Sequence, residues 1–105
     1  MIHQLTAVDP RAKIGKNVTV EPFTTIASDV VIGAGTWIGS NVTIMDGARI
    51  GKNCKIFPGT VISAIPQDLK FDGEDTQTII GDNTTLRECV TINRGTKALG
   101  YTKVG

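Results

Sequence analysis

Histidine, cysteine and aromatic side chains are all scarce in this chain of 105 residues, which has one His, two Cys, one Trp, one Tyr and three Phe. A single His3 near the start, and two cysteines outside any Cys-x-x-Cys pair, provide no ligand set for a structural zinc ion. Cys54 and Cys89 therefore read as structural thiols, and no metal and no cofactor are expected. A surplus of charge is missing too. Eleven Lys and Arg against ten Asp and Glu leave a net +1, too little to gather nucleic acid or an anionic membrane surface. No apolar run approaches the roughly 20 residues of a bilayer-spanning helix. Met1-Ile2-His3-Gln4 lacks the charged and apolar regions of a secretory leader. A soluble, cytoplasmic protein of one domain, without membrane insertion, is the expectation.

What the chain does have is a period. Every sixth residue from Ile2 to Ile62 is Ile or Val: Ile2, Val8, Ile14, Val20, Ile26, Ile32, Ile38, Ile44, Ile50, Ile56 and Ile62. Six suits neither an isolated helix nor a plain strand; it is the hexapeptide signature of a parallel β-helix, with three short strands per turn. Three residues after the aliphatic stand Asn17, Asp29, Gly35, Asn41, Gly47, Asn53, Gly59, Asn83 and Gly95, types that tolerate the left-handed backbone of a sharp corner. One residue later the side chain is small, as at Thr24, Val30, Thr36, Ala48, Cys54 and Thr60, where a corner meets a narrow interior. Stacking of 18-residue turns predicts three ladders: Val8, Ile26, Ile44 and Ile62; Ile14, Ile32 and Ile50; and Val20, Ile38 and Ile56.

The regular coils run over 1–62. Between 63 and 79 the period lapses into a polar stretch with Pro66, Gly73, Asp68, Lys70, Asp72, Glu74 and Asp75. Such a stretch is expected to leave the prism as an extruded loop, the place where rigid scaffolds carry function. Further coils follow over 80–105, with a second loop expected at 94–103. Ile80 sits 18 residues past Ile62, but a protruding loop would let it stack on a different face, so both registers stay open. The sequence stops two residues into a hexad, which suggests the amino-terminal piece of a longer protein, truncated before its carboxy-terminal cap.

Three segments go beyond a generic hexapeptide repeat: Gln67-Asp68-Leu69-Lys70-Phe71-Asp72-Gly73-Glu74, Ile80-Gly81-Asp82-Asn83, and Leu86-Arg87-Glu88-Cys89-Val90-Thr91-Ile92-Asn93-Arg94-Gly95-Thr96. Together they resemble the acyl-carrier-protein-dependent UDP-N-acetylglucosamine O-acyltransferases of lipid A synthesis. The resemblance implies a left-handed parallel β-helix, an all-β fold, assembled as a homotrimer with clefts between subunits. It implies transfer of a 3-hydroxyacyl group from acyl carrier protein to the sugar 3-hydroxyl of UDP-N-acetylglucosamine, with a His as general base. That His is expected beyond Gly105, so no catalytic residue lies in these 105 residues, and the chain alone is expected to be inactive.

The resemblance also assigns substrate-binding residues. Asp68 and Lys70 match family positions that contact the sugar and phosphate region, with Gln67 assisting; a plain surface ion pair within the loop is the alternative. Asn93 stands where some members carry His, and its role stays open. Arg94 fits a purely structural bond equally well. Strand alternation points Val31, Trp37, Met45, Phe57 and Val61 outward, as a partner surface that the trimer would use. Arg49, Lys52 and Lys55 are candidates for docking the acidic acyl carrier protein, against the simpler reading as solvated charges. Rival readings are a coenzyme-A-dependent acetyltransferase, the N-acyltransferase of the same pathway and a structural or ice-binding β-helix. A zinc carbonic anhydrase of this fold would need several histidines.

Overall fold

The hexad becomes geometry because a two-residue strand followed by a four-residue corner returns the next aliphatic to the same inward direction. The computed structural model describes residues 1–64, 77–88, 90–93 and 101–104. These form fourteen short strands in three parallel sheets. The first sheet stacks β1 (Ala7–Val8), β4 (Thr25–Ile26), β7 (Thr43–Ile44), β10 (Val61–Ala64) and β13 (Thr91–Asn93). The second stacks β2 (Lys13–Ile14), β5 (Val31–Ile32), β8 (Ala48–Ile50), β11 (Gln77–Ile80) and β14 (Tyr101–Val104). The third stacks β3 (Thr19–Val20), β6 (Trp37–Ile38), β9 (Lys55–Ile56) and β12 (Thr85–Leu86). Successive strands pass from sheet to sheet in rotation, and neighbouring strands among the described residues pair in parallel.

All three ladders form as the period predicts. Val8 pairs with Ile26, Ile26 with Ile44 and Ile44 with Ile62; Ile14 pairs with Ile32 and Ile32 with Ile50; Val20 pairs with Ile38 and Ile38 with Ile56. Ile26, Ile32, Ile38, Ile44, Ile56 and Ile62 are buried, each contributing about 1.5 to 3 kcal/mol by leaving water. Backbone groups are satisfied between turns: Ala27 N–H donates to Ile44 O at 2.9 Å, and Met45 N–H to Ile62 O at 3.0 Å. At the first turn Ile2 pairs with Val20 but stays exposed, as do Met1 and Leu5, because no coil lies above them.

Among the described residues, which leave out Gly95, the expected corners follow the pattern with two exceptions. Asn17, Gly35, Asn41, Gly47, Asn53, Gly59 and Asn83 adopt positive φ. Asp29 does not, while Phe23 occupies the same slot at φ 67 with its ring exposed. Small corner residues are buried, and the threonines among them keep their hydroxyls bonded. Thr36 Oγ1 donates to Gly51 O at 2.8 Å and accepts from Cys54 N at 3.2 Å. Thr24 does the same with Gly39 O and Val42 N. Each hydroxyl thus ties one turn to the next.

The register left open in the sequence is decided by pairing. Ile80 stacks on Ile50, in the second ladder, and not on Ile62. The step from Ile62 to Ile80 spans 18 residues where the same step takes six from Ile44 to Ile50, so twelve residues are inserted. Ile92 stacks on Ile62 and Val104 on Ile80, which inserts six more between Ile92 and Val104. Both insertions are multiples of six, so the count stays in phase while the face changes. Strand bounds also tighten the expected loops: residues 63 and 64 belong to β10, 77–79 to β11, and 101–103 to β14.

Candidate functional site

Both insertions leave from the same corner of the prism. Residues 65–76 connect β10 in the first sheet to β11 in the second, and 94–100 connect β13 to β14 across the same corner one turn later. Gln67, Asp68 and Lys70 fall in the first of these segments and Arg94 in the second, outside the described residues. What is described is the frame: Ala64 at the end of β10 pairs with Asn93 at the end of β13. The two chemistry-bearing sequence segments therefore spring from neighbouring, hydrogen-bonded strand ends. Spacing alone missed this, because insertions of twelve and six residues leave the hexad count in phase.

The corner below this frame is braced by polar groups. Asp46 Oδ1 accepts from Asp29 N–H at 3.0 Å and faces Ser28 Oγ at 3.4 Å. Arg49 reaches back one turn, with Nη1 on Asp29 O at 2.9 Å and Nη2 on Asp29 Oδ1 at 2.7 Å. Ser63 is the exception to strand alternation. It occupies the slot of Ala27 and Met45, directly after the inward aliphatic, yet it is fully buried and has φ 64. Its Oγ donates to Asp46 O at 2.7 Å. The pairing of β10 with β13 shifts register here, between Ile62 and Ala64, as a β-bulge does. On the first turn the same corner holds Asp9, whose carboxylate accepts two bonds from the Arg11 guanidinium. That guanidinium keeps the Asp9 carboxyl below its ordinary range.

The outward aliphatics and aromatics are less exposed than alternation predicts. Val31, Trp37, Met45, Phe57 and Val61 are all half-buried. On the third sheet the reason is mutual cover: the Trp37 and Phe57 rings meet edge to face at 5.5 Å, and the Arg87 guanidinium lies 4.3 Å over Phe57. Trp37 Nε1–H donates to Glu21 Oε2 at 3.1 Å. Lys52 and Lys55 are exposed, whereas Arg49 is half-buried and ion-paired to Asp29 at 2.7 Å. His3 lies at the far end of the stack, its Nδ1 accepting from Leu5 N–H at 3.1 Å. A hollow there is lined by Met1, Ile2, His3 and Gln4. Among the described residues, no three of His, Cys, Asp and Glu stand close enough to hold a metal ion.

Comparison with known proteins gives this geometry a class. Residues 29–64 match the bacterial transferase hexapeptide family, six repeats. A crystal structure of a UDP-N-acetylglucosamine acyltransferase from Bacteroides fragilis 9343 superposes with a TM-score of 0.98 at 55% identity, covering 100% of this chain and 41% of that one. The Francisella novicida UDP-N-acetylglucosamine acyltransferase gives 0.96 at 45% identity, over 100% of this chain and 39% of the other. The class is thus a hexapeptide-repeat transferase scaffold, a left-handed parallel β-helix, opposite in hand to ordinary parallel crossovers.

A curated relative from Chlorobium phaeobacteroides (strain DSM 266 / SMG 266 / 2430) is 67% identical over 104 residues, which is 99% of this chain. It carries the name acyl-[acyl-carrier-protein]–UDP-N-acetylglucosamine O-acyltransferase. By sequence and by fold the chain belongs with that family of acyltransferases. It spans 39% of that relative's length.

Proposed function

We propose that this chain forms part of an acyltransferase that moves a 3-hydroxyacyl group from acyl carrier protein to the 3-hydroxyl of UDP-N-acetylglucosamine, the first step of lipid A synthesis. The observation that carries the reading is 67% identity across 99% of the chain to a relative named for this activity. The doubled insertion at one corner supports it, since a plain structural solenoid has no use for two polar segments on adjacent strand ends.

Chemically, a sugar hydroxyl is a poor nucleophile until a base near neutral pKa removes its proton, and the thioester oxygen needs a hydrogen-bond donor as charge develops on it. The chain's contribution is to bind and orient. Lys70 supplies a point charge for a phosphate, either of the nucleotide or of the donor's phosphopantetheine. Asp68 accepts a hydrogen bond from a sugar hydroxyl, and Gln67 assists. His3, the one histidine of the chain, is held by Leu5 N–H at the far end and is not the base; that role falls to a residue beyond Gly105. No cofactor takes part, since the acyl thioester arrives already activated. The protein works in the cytoplasm as a homotrimer, with the half-buried aromatic face of the third sheet as one candidate contact surface.

Acyl transfer measured with 3-hydroxyacyl carrier protein and UDP-N-acetylglucosamine tests the reading. The full-length product of the gene should form O-acylated nucleotide sugar, and the 105-residue chain should form none in a single-turnover assay. Product from the short chain would refute the placement of the base. Transfer to an amino sugar, or from coenzyme A in preference to the carrier protein, would refute the substrate assignment.

A further inference from the structure

The net charge is close to zero, but the charges are segregated. Asp9, Asp29 and Asp46 gather at the corner between the first and second sheets. Arg11 and Arg49 are paired to the first two of them. The lysines stand elsewhere. Lys13-Ile14-Gly15-Lys16 and Arg49-Ile50-Gly51-Lys52 repeat one basic pattern on two turns of the second sheet, with the neutral Val31-Ile32-Gly33-Ala34 on the turn between them.

The pairing puts these residues in rows. Lys13 lies opposite Val31 and Val31 opposite Arg49. Lys16, Ala34 and Lys52 stack at the next corner, where Gly35 N–H donates to Lys16 O at 2.9 Å and Asn53 N–H to Ala34 O at 3.0 Å. Between the rows Gly15, Gly33 and Gly51 present no side chain. A Cβ at Gly15 would come within 2.8 Å of Ala34 N, and one at Gly33 within 2.6 Å of the Gly51 carbonyl carbon. Lys13, Lys16 and Lys52 are exposed, and among the described residues they have no ion-pair partner. On the following turn the corner row holds Asp82, whose Oδ1 accepts from Lys52 N–H at 2.7 Å. That bond draws the carboxylate onto the backbone.

We propose that this face of the second sheet docks an acidic helix of the acyl carrier protein, with carboxylates on Lys13 and Lys16 at one end and on Lys52 at the other. The proposal rests on the reading of acyl carrier protein as the donor. The spacing fits a helix laid along the stack. Two turns of the prism rise about 9.6 Å, and carboxylates two helical turns apart are separated by about 10.8 Å. The strip of glycines lets the partner approach closely. Arg49 adds little, because Asp29 already holds it at 2.7 Å. Lys55 is set apart, since it pairs with Trp37 on the third sheet, the candidate subunit contact.

The test is steady-state kinetics on the full-length product, varying the 3-hydroxyacyl carrier protein at saturating UDP-N-acetylglucosamine. Lys16→Glu and Lys52→Glu should each raise KM for the carrier protein about threefold, and the double variant about tenfold, with kcat within about threefold. KM of the parent should rise with ionic strength, and that of the double variant should rise less. A 3-hydroxyacyl pantetheine thioester, which has the reactive end of the donor without its protein, should be used equally well by parent and double variant. Arg11→Glu makes the same charge change on the acidic corner and should leave KM for the carrier protein within about twofold.

An unchanged KM in the double variant, with the parent using the carrier protein, overturns the proposal and leaves the functional reading intact. Equal loss with the pantetheine thioester also overturns it, because the substitutions would then disturb the enzyme rather than the docking. So does an equal rise in Arg11→Glu, which would make the effect one of overall charge. A parent that does not accept the carrier protein overturns the donor assignment and this surface with it.

Discussion

A single residue in this prism is judged by which way it faces, because the interior is too narrow to absorb an error. Ile38 is completely buried between Val20 and Ile56. Ile38→Asp would place an unpaired charge in the shaft, and its circular dichroism should lose the β signal at room temperature, since burial of an unpaired charge exceeds ordinary domain stability. Thr36→Val is the subtler test. It keeps the shape but leaves Gly51 O and Cys54 N without the partner they have at 2.8 and 3.2 Å. A loss of about 1 to 3 kcal/mol in urea unfolding is expected. Gly33 shows the same intolerance in backbone terms, because a Cβ there would come within 2.6 Å of the Gly51 carbonyl carbon.

The strands are two to four residues long, too short to be stable alone, and each depends on the turns above and below. The corner after β10 and β13 can therefore accept added chain without cost to the stack, provided the next aliphatic returns to its ladder. Removing 65–76 would leave six residues from Ile62 to Ile80, the spacing found from Ile44 to Ile50. That twelve-residue deletion should keep the β-helical circular dichroism spectrum while abolishing binding of UDP-N-acetylglucosamine by calorimetry. Deleting eleven of the same residues should unfold the following turns, because a slip of one turns every inward aliphatic outward.

Assembly belongs to the scale of the whole molecule. The third sheet presents Trp37, Phe57 and Arg87 packed against one another, a rigid amphipathic surface of the composition that interfaces favour. The full-length product is expected to sediment as a trimer. Trp37→Glu, which faces Glu21 across 3.1 Å in the parent, should shift it toward monomer if this face is the contact. An unchanged trimer in that variant would move the contact to another sheet.

The amino-acid sequence by itself determined the period, and with it the three ladders, the corner slots and the number of residues per turn. Each of those follows from local rules: alternation within a strand, left-handed tolerance at Asn and Gly, and small volume where a corner narrows. It also carried the family motifs, because Gln67, Asp68 and Lys70 belong to a recognisable string of residues. Tertiary structure alone decided which strands flank those strings. The hexad count runs unbroken through insertions of twelve and six residues, so no periodicity could reveal that Ile80 stacks on Ile50. Only hydrogen bonding between turns reads which face a residue occupies. The same holds for Ser63, whose burial and positive φ depend on a carbonyl one turn away at Asp46, a partner that no local pattern specifies.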